Sequence, residues 1–187
     1  MEYEYVDRLS MTPEDRNVGR RNERLRELGV GDKPDPEFDD LASELAAETG
    51  APYAMINFIG EDKQYFAGLH AGSPASDAAS GPAEEVGREM DRDHGYCPHV
   101  VVRGKALVLD DVCDYPRFAG NPVVDEIGIR SYLGAPIVDD DGVVIGTVCV
   151  VDVEPKPWGR PGLDLIKKKA AVVMDRIQQR NRDGFRR

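Results

Sequence analysis

The sequence predicts an α+β domain: one mainly antiparallel sheet with the N- and C-terminal helices on one face and loops plus a short helix on the other. Two apolar runs, residues 131–137 and 143–151, flank an Asp-Gly turn at residues 141–142, which is a strong hairpin signal. The second run is apolar at almost every position, as in strands that are covered on both faces. A helical apolar stripe over residues 162–180 supplies the cover for one of those faces.

Two helices are predicted before the first strand. Thr12 as N-cap and Pro13 at the first helical position predict a helix start, and Gly29 ends that helix. Asp35 is the predicted cap of the second helix, which Gly50 ends as a C-cap residue. The apolar residues of the second helix fall on one side, so we expect that side to pack against the sheet.

A hairpin and several shorter segments follow these helices. Residues 53–59 and 64–69 predict two strands that are joined by a turn. The segments before the second hairpin are predicted to be a long loop over residues 71–87, a short helix over 94–102, a short strand over 106–109 and an irregular stretch over 113–128. Loops and one short helix that cover a sheet readily leave a cavity, so we expect the functional site on this face.

Length and composition predict one domain with short extensions at its ends. We place an N-terminal arm and helix start at residues 1–19, the domain at 20–180 and a basic tail at 181–187. No apolar run approaches the roughly 18 residues of a membrane span, and the first residues lack the pattern of a secretory signal. Three cysteines at unrelated spacings form no disulfide framework, so we expect a cytoplasmic protein.

Charge is distributed unevenly along the chain. The net charge of −11 argues against nucleic acid as a partner. Residues 156–187, in contrast, hold ten Lys and Arg against three Asp, which is a net charge of +7. A solvated helix face and tail explain this segment, and an acidic surface on a partner or on a second copy is the alternative.

Short motifs in a fixed order occupy most of the chain. They are Phe38-Asp39-Asp40-Leu41, Ala51–Ile59 leading into Gln64-Tyr65-Phe66, Tyr96-Cys97-Pro98-His99-Val100, Asp110-Asp111-Val112 with Pro116–Pro122, and Ile129–Ile137 with Gly142–Asp152. In this order and spacing, over roughly residues 20–180, the chain resembles the GAF domain family. The resemblance is specific to the fold and not to a ligand.

The resemblance implies a small-molecule-binding regulatory module. Domains of this family hold cyclic nucleotides, tetrapyrroles, haem or small metabolites, pair through their terminal helices and pass a signal to an output domain. We therefore expect a non-catalytic sensor of a small molecule, with haem as one candidate, that acts through a homodimer or a partner protein. The apolar stripe of the last helix extends to Ile177 and also favours a homodimer through the terminal helices.

Eight residues form the candidate ligand-binding set. They are Asn57, Phe66, Tyr96, Cys97, His99, Phe118, Arg130 and Tyr132. Aromatic rings offer shape and stacking, whereas Asn57, His99 and Arg130 offer polar groups that orient a ligand. Plain core packing is the alternative for the two phenylalanines and for Tyr132.

Cysteine chemistry is a second class of function. Cys97 opens the predicted short helix, where orphan N–H groups favour a thiolate. It is therefore a candidate for redox sensing with Cys113 as its partner, for haem ligation or for nucleophilic chemistry. A buried, inert thiol is the alternative, because cysteine is among the most buried residue types. Cys149 lies in a Val-rich run and is interpreted as core packing.

One enzyme branch of the resembled family depends on a cysteine pattern. Free-methionine-R-sulfoxide reductases carry a Gly-x-Cys at this helix start, which Gly95-Tyr96-Cys97 matches, and a catalytic cysteine further on. The corresponding stretch, residues 121–129, contains no cysteine. Without the attacking thiol the sulfenic-acid step has no starting point, so this activity is disfavoured and no catalytic residue is assigned.

Metal and nucleotide sites find little support in the sequence. His94, Cys97 and His99 do not match a zinc-ligand spacing, so no metal site is predicted. Asn121 with Asp125-Glu126 resembles part of the signature of cyclic-nucleotide-binding GAF domains, but the Lys and Phe of that signature are absent. We interpret the acidic pair as part of a helix or loop.

Overall fold

The computed structural model describes residues 12–72 and 87–184 and is organised around a six-stranded antiparallel sheet. The strands are β1 (Tyr53–Ile59), β2 (Lys63–Ala71), β3 (Glu89–Asp91), β4 (Leu107–Leu109), β5 (Ser131–Val138) and β6 (Val144–Asp152). Their order across the sheet is β3-β2-β1-β6-β5-β4. This arrangement confirms the predicted α+β class and both predicted hairpins, and it places the β5–β6 hairpin inside the sheet.

Helices cover both faces of the sheet. They are α1 (Val18–Leu28), α2 (Pro36–Thr49), α3 (Cys97–Arg103), α4 (Pro116–Ala119), α5 (Pro122–Glu126) and α6 (Gly159–Gly184), with a 3-10 turn at Val112–Asp114. α1, α2 and α6 cover what we call the helix-covered face, and α3, α4 and α5 cover the cavity face. None of the described helices is long and apolar enough to cross a membrane.

Parts of three predicted segments lie outside the described residues. The predicted long loop over residues 71–87 falls mostly on residues 73–86. The predicted arm and tail include residues 1–11 and 185–187. The core and its covering helices are formed by the described part of the chain.

The first helix begins later than its sequence predicts. Residues 12–17 are not helical, so the predicted N-cap at Thr12 is wrong. Asp15 lies before the helix instead of in its first turn. Its carboxylate pairs with Arg21 of α1 and with Arg92, and it accepts a hydrogen bond from the backbone N–H of Asn17 at 3.1 Å.

The other predicted ends of α1 and α2 are confirmed. Gly29 and Gly50 end α1 and α2 in the left-handed conformation, with φ angles of 65° and 68°, which glycine adopts without strain. Asp35 caps α2 by accepting hydrogen bonds from the backbone N–H of Glu37 at 3.1 Å and of Phe38 at 3.4 Å. Pro36 stands at the first helical position, where its missing N–H costs nothing.

The helix-covered face holds the larger core. Phe38 and Leu45 of α2 and Ile166 and Val173 of α6 are at most 1% exposed. The sheet meets them with Ala54, Ile56, Phe58, Leu133, Ala135, Ile137, Val148 and Val150. Burial of an apolar side chain of this size contributes about 1.5–3 kcal/mol, so this face holds the terminal helices on the sheet.

The apolar stripe of α6 is already covered within a single chain. Ile177, near its end, is only 1% exposed and belongs to the core that α1, α2 and the sheet share. The sequence argument for a homodimer assumes an uncovered stripe, and that assumption is wrong. The homodimer itself stays a prediction.

Residues 113–128 are more regular than predicted. Instead of an irregular stretch they form most of the 3-10 turn and the short helices α4 and α5. Pro116 and Pro122 open the two helices, since proline has the φ angle of a first helical position. Asn121 caps α5 by accepting a hydrogen bond from the backbone N–H of Val123.

Candidate functional site

A cavity of about 60 Å³, partly open to solvent beside Ile127, lies between the sheet and the segments that cover the cavity face. Its lining consists of Tyr53, Met55, Asn57, Gln64, Phe66, Met90, Gly95, Tyr96, Cys97, Val123, Ile127, Ile129, Tyr132, Cys149 and Val151. No Lys, Arg, His, Asp or Glu is among them. This volume accommodates a few water molecules or a compact ligand.

A larger groove on the helix-covered side is less suited to a ligand. It measures about 490 Å³ and lies between α1, α2 and α6, where it is open to solvent. Two of its charged groups, Asp35 and Arg180, already bond each other at 3.1 Å. The cavity is therefore the candidate functional site.

Five of the eight predicted ligand-binding residues line the cavity. They are Asn57, Phe66, Tyr96, Cys97 and Tyr132. Sequence reasoning missed the other ten residues of the lining, six of which lie on the strands, Met55, Gln64 and Cys149 among them. A usable signal exists for Met55, because residues two apart on a strand share a face and Asn57 was already a candidate.

The structure places the other three predicted residues away from the cavity. His99 is 3% exposed and packs edge-on against Phe118, with 5.1 Å between the ring centroids. Burial and two nearby arginine side chains lower the pKa of His99 to about 4, so its ring is neutral at neutral pH. Arg130 pairs with Asp111 at 2.7 Å, next to the 3-10 turn. Two of these residues are packed in the core and one forms an ion pair, and a role in ligand binding stays a prediction for all three.

A buried amide network forms the polar wall of the cavity. Asn57 Nδ2 donates to Gln64 Oε1 at 2.8 Å. Gln64 Nε2 in turn donates to the backbone oxygens of Asp91 at 2.8 Å and His94 at 2.7 Å. Both amide side chains are at most 1% exposed. The network joins β1 and β2 to the segment that leads into α3, so it fixes the position of Asn57.

Two polar atoms beside this network have no hydrogen-bond partner among the described residues. They are Asn57 Oδ1 and Thr147 Oγ1, which belong to residues that stand opposite each other on β1 and β6. Both residues are fully buried. Because an unpaired buried polar atom costs about 1–3 kcal/mol, native structures keep few of them. A molecule that donates a hydrogen bond to Asn57 Oδ1 would recover that cost.

Two sulfur atoms meet on the same wall. Cys97 Sγ lies 3.5 Å from Cys149 Sγ and 3.2 Å from the hydroxyl of Tyr132. The hydrogen bond between the two cysteines and the nearby side chains of Thr147, Tyr132 and Asn57 lower the pKa of Cys97 to about 6, although burial opposes them. The hydrogen bond to Cys97 and burial raise the pKa of Cys149 well above its ordinary value. The pair therefore favours a thiolate at Cys97 and a thiol at Cys149.

Gly134 allows the Tyr132 ring to reach the sulfur pair. A Cβ atom at Gly134 would lie 2.2 Å from the Tyr132 hydroxyl oxygen, which is far inside contact distance. Gly134 also pairs with Cys149 in the β5–β6 register. The absence of a side chain at this position thus lets the Tyr132 hydroxyl lie beside Cys97.

The structure does not join Cys97 to its predicted redox partner. Cys113 is exposed in the 3-10 turn, where its backbone N–H bonds Asp111 at 3.0 Å, whereas Cys97 is buried. Cys149, and not Cys113, is the cysteine in contact with Cys97, so the pairing of Cys97 with Cys113 stays a prediction without support from this contact. The interpretation of Cys149 as core packing is incomplete for the same reason.

Asn121 fixes the entry into α3. Its side chain accepts a hydrogen bond from the N–H of Gly95 and donates one to the Gly95 carbonyl, both at 2.9 Å. Gly95 has a φ angle of 75°, and the short helix predicted from His94 consequently begins only at Cys97. Glu126 of the acidic pair lies in α5, 3.6 Å from His94. The partial cyclic-nucleotide signature therefore has structural roles here.

A comparison with family models identifies the fold. The model described as GAF domain matches residues 33–176. The chain belongs to the GAF domain family. The membership confirms the resemblance and places this GAF domain in a family of signalling and sensing modules. Among residues 12–72 and 87–184, no group of three His, Cys, Asp or Glu side chains is placed to hold a metal ion.

A curated relative is much longer than this GAF domain. It is a cyclic di-GMP phosphodiesterase of Pseudomonas aeruginosa, 28% identical over 169 residues. The alignment covers 88% of this chain but only 26% of that protein. This GAF domain thus spans about a quarter of the length of the relative, whose activity belongs to that whole protein.

Solved structures share the fold of this GAF domain. The GAF domain of an Acinetobacter phosphoenolpyruvate-protein phosphotransferase has a TM-score of 0.58 at 14% identity, over 92% of this chain and 99% of that one. A free methionine-R-sulfoxide reductase from Neisseria meningitidis has a TM-score of 0.58 at 16% identity, over 89% and 93%. At these identities the likeness concerns the fold alone.

Proposed function

We propose that this GAF domain is a non-catalytic sensor whose cavity binds a small, uncharged molecule and reports it to a partner protein or to a second copy of the chain. The observation that carries the proposal is the unpaired Asn57 Oδ1, buried beside a cavity that is otherwise apolar and aromatic. Ligand pockets combine such apolar walls with a few polar groups that fix orientation.

The chemistry of the lining limits the ligand. Asn57 Oδ1 is an acceptor, so the ligand carries at least one hydrogen-bond donor, such as a hydroxyl, amine or amide N–H. The remaining wall, which includes Met55, Phe66 and Tyr96, favours an apolar or aromatic body. Since the cavity is only about 60 Å³, a ligand larger than a few non-hydrogen atoms requires α3 or α5 to move outward.

A nucleotide ligand is disfavoured by charge. Recognition of phosphate requires cationic side chains or free backbone N–H groups, and no cationic side chain of the described residues lines the cavity. Arg130, the cation that sequence reasoning placed there, is committed to Asp111. The cyclic di-GMP named for the relative from Pseudomonas aeruginosa is therefore not our choice of ligand for this cavity.

Haem does not fit the cavity either. Pockets for ligands of drug size measure about 300–1,000 Å³, which is several times the volume present here. Cys97, the candidate thiolate ligand, has Cys149 at 3.5 Å on its cavity wall. We therefore do not retain the haem hypothesis.

The route of the signal stays a prediction. Tyr96 and Cys97 line the cavity at the start of α3, and α3 packs against β1, β5 and β6. A ligand that displaces α3 would alter this packing and thereby the surface that a partner protein or a second copy contacts. A cytoplasmic location and a homodimer are the expectations that accompany this proposal.

Native mass spectrometry on protein purified from its own host tests the proposal. We expect a bound molecule that is released on unfolding, and a rise in Tm when the apo protein is exposed to small neutral compounds that carry a donor. The matching variant is Asn57→Ala, which removes the acceptor and should weaken binding by about tenfold, the equivalent of one hydrogen bond of about 1.4 kcal/mol.

Two further variants complete the test. Asn17→Ala is the control, because Asn17 is exposed and its side chain makes no capping bond. Ile127→Trp keeps the test decisive if Asn57→Ala does not fold. Ile127 lines the cavity but is 37% exposed, so the larger Trp ring should narrow the cavity and weaken binding without disturbing the core. Protein from the native host without a bound molecule, combined with no Tm response to the compounds, would contradict the proposal.

A further inference from the structure

The sulfur pair on the cavity wall is not explained by ligand binding. Cys97 and Cys149 come from α3 and β6, are 6% and 1% exposed, and approach to 3.5 Å. A disulfide bond measures about 2.05 Å, so closure requires a further approach of about 1.5 Å between the two sulfurs. The structure thus holds two reduced thiols close to bonding distance in a buried site.

Hydroxyl groups around Cys97 suit a reactive thiol. The Tyr132 hydroxyl lies 3.2 Å from its sulfur. Thr147, on the same strand as Cys149, has an unpaired hydroxyl oxygen and is free to donate to a thiolate. The thiolate is the nucleophilic form of cysteine, and these hydroxyls can donate hydrogen bonds to it.

We propose that Cys97 and Cys149 form a redox-active dithiol that a small hydroperoxide oxidises to an intramolecular disulfide. In the first step the Cys97 thiolate attacks a peroxide oxygen, the O–O bond breaks and the leaving oxygen departs with a proton, as water when the oxidant is hydrogen peroxide. Cys97 is then a sulfenic acid. In the second step Cys149 attacks the sulfur of Cys97, the S–O bond breaks and the hydroxyl leaves as water with the Cys149 proton. Two thiols are thereby oxidised and one peroxide is reduced.

The cavity gives a small oxidant its place beside the pair. Both cysteines line the cavity, whose volume of about 60 Å³ accommodates molecules of the size of water or hydrogen peroxide. Larger disulfide reagents are excluded by the burial of both sulfurs. Cys113 differs from this pair in two ways. It is exposed, so oxidants of any size reach it, and no other cysteine among the described residues lies beside it to form a disulfide.

Oxidation would change the cavity and the packing of α3. A disulfide ties α3 to β6 and removes the thiolate that the Tyr132 hydroxyl faces. The wall that the sulfur pair shares with Asn57 then loses its thiolate. This redox role goes beyond the proposed sensor function and does not require a ligand.

Peptide mapping tests the proposal directly. The reduced full-length chain is exposed to equimolar hydrogen peroxide, alkylated and digested with trypsin. The three cysteines fall in separate tryptic peptides, residues 93–103, 106–117 and 131–167. We expect the intact mass to fall by about 2 Da, peptide 93–103 to be joined to 131–167, and only peptide 106–117 to be alkylated.

Variants distinguish the pair from other thiols. Cys113→Ser should leave the crosslink unchanged, and Cys149→Ser should replace it by a sulfenic acid at Cys97 that dimedone traps when the protein is unfolded in its presence. Tyr132→Phe, which keeps the ring, should slow crosslinking several-fold near pH 6.5, whereas Tyr115→Phe at an exposed position should not. Three alkylated cysteines after peroxide treatment, or a crosslink that involves Cys113, would overturn the proposal. Either result leaves the ligand-binding proposal standing, because this readout reports thiols alone.

Discussion

Individual polar residues set within apolar strands give the cavity its chemistry. Asn57 and Thr147 stand opposite each other in two strands that are otherwise buried and apolar, and each keeps one oxygen unpaired. Such groups cost about 1–3 kcal/mol each, and departures from full hydrogen-bond satisfaction concentrate at functional sites. Cys97, Cys149 and Tyr132 complete this wall.

The substitution Gly134→Ala tests the contact between Tyr132 and Cys97. A Cβ atom there would collide with the Tyr132 hydroxyl, so we expect this hydroxyl to leave Cys97 and the pKa of Cys97 to rise above about 6. The measurement is a pH titration of ultraviolet thiolate absorbance in a Cys113→Ser background. Gly120→Ala is the control, because its Cβ would meet no atom within 4 Å. An unchanged titration curve would show that this contact does not tune Cys97.

The substitution Asp15→Asn tests the buried ion cluster at the end of β1. Burial opposes ionisation of Asp15, but hydrogen bonds from Arg21 and Arg92 prevail and hold its pKa below the ordinary 3.8. Since removing one partner of a buried pair leaves Arg21 uncompensated, we expect a loss of about 3–5 kcal/mol in the free energy of unfolding at neutral pH. Urea denaturation measures this loss, with Asp40→Asn at an exposed position as the control.

The same cluster predicts a pH dependence. The folded-state pKa of Asp15 is lowered, so its stabilisation is complete above the unfolded-state pKa and is lost as the pH falls through the folded-state pKa. The stability difference between the wild type and Asp15→Asn should therefore be constant from pH 5 to 7 and should shrink below about pH 4. A difference that persists unchanged in acid would contradict the assignment.

For individual residues, the sequence predicted those that stand out within their own segment, and it did not predict contacts between segments that are distant along the chain. Asn57 was identifiable because an amide in an apolar strand is unusual. The contact of Cys97 with Cys149 joins residues 52 positions apart and depends on how α3 lies on the sheet. Arg130 was predicted to face the ligand, because the sequence does not reveal that its guanidinium forms an ion pair with Asp111.

At the scale of elements, local signals specified most helices and strands. Capping residues and glycine stops predicted both ends of α2, and alternating or continuous apolar runs predicted the four long strands. The predicted start of α1 was wrong: Asp15 lies before the helix, where its carboxylate pairs with Arg21 of α1 and with Arg92. Short helices such as α4 and α5 escaped prediction, since one turn of helix has no periodicity to detect.

The substitution Asp35→Ala tests how α2 is held. Asp35 caps α2 and also pairs with Arg180 of α6, whose guanidinium lies 4.9 Å from the Phe38 ring centroid. We expect a loss of about 0.5–2 kcal/mol from the cap, detected by thermal denaturation as a lower Tm. Asp32→Ala, at an exposed position before the helix, is the control. Equal Tm values for both variants would contradict a capping role.

At the scale of the whole molecule, the two faces of the sheet have different tasks. The helix-covered face contains a continuous apolar core, and it holds α1, α2 and α6 on the sheet. The cavity face has short helices and turns, which pack less completely and leave a void beside polar atoms. The sequence predicted this division, because only the terminal segments carry long helical stripes. It contains no signal for the volume of the void, which depends on side-chain packing.

A crystal structure of the protein purified from its own host tests the central claim, that the cavity is a ligand site, most directly. We predict electron density for a compact, uncharged molecule between the sheet and α3, with a donor atom within hydrogen-bond distance of Asn57 Oδ1. A cavity face filled by protein side chains, with Asn57 Oδ1 bonded to one of them, would contradict the account.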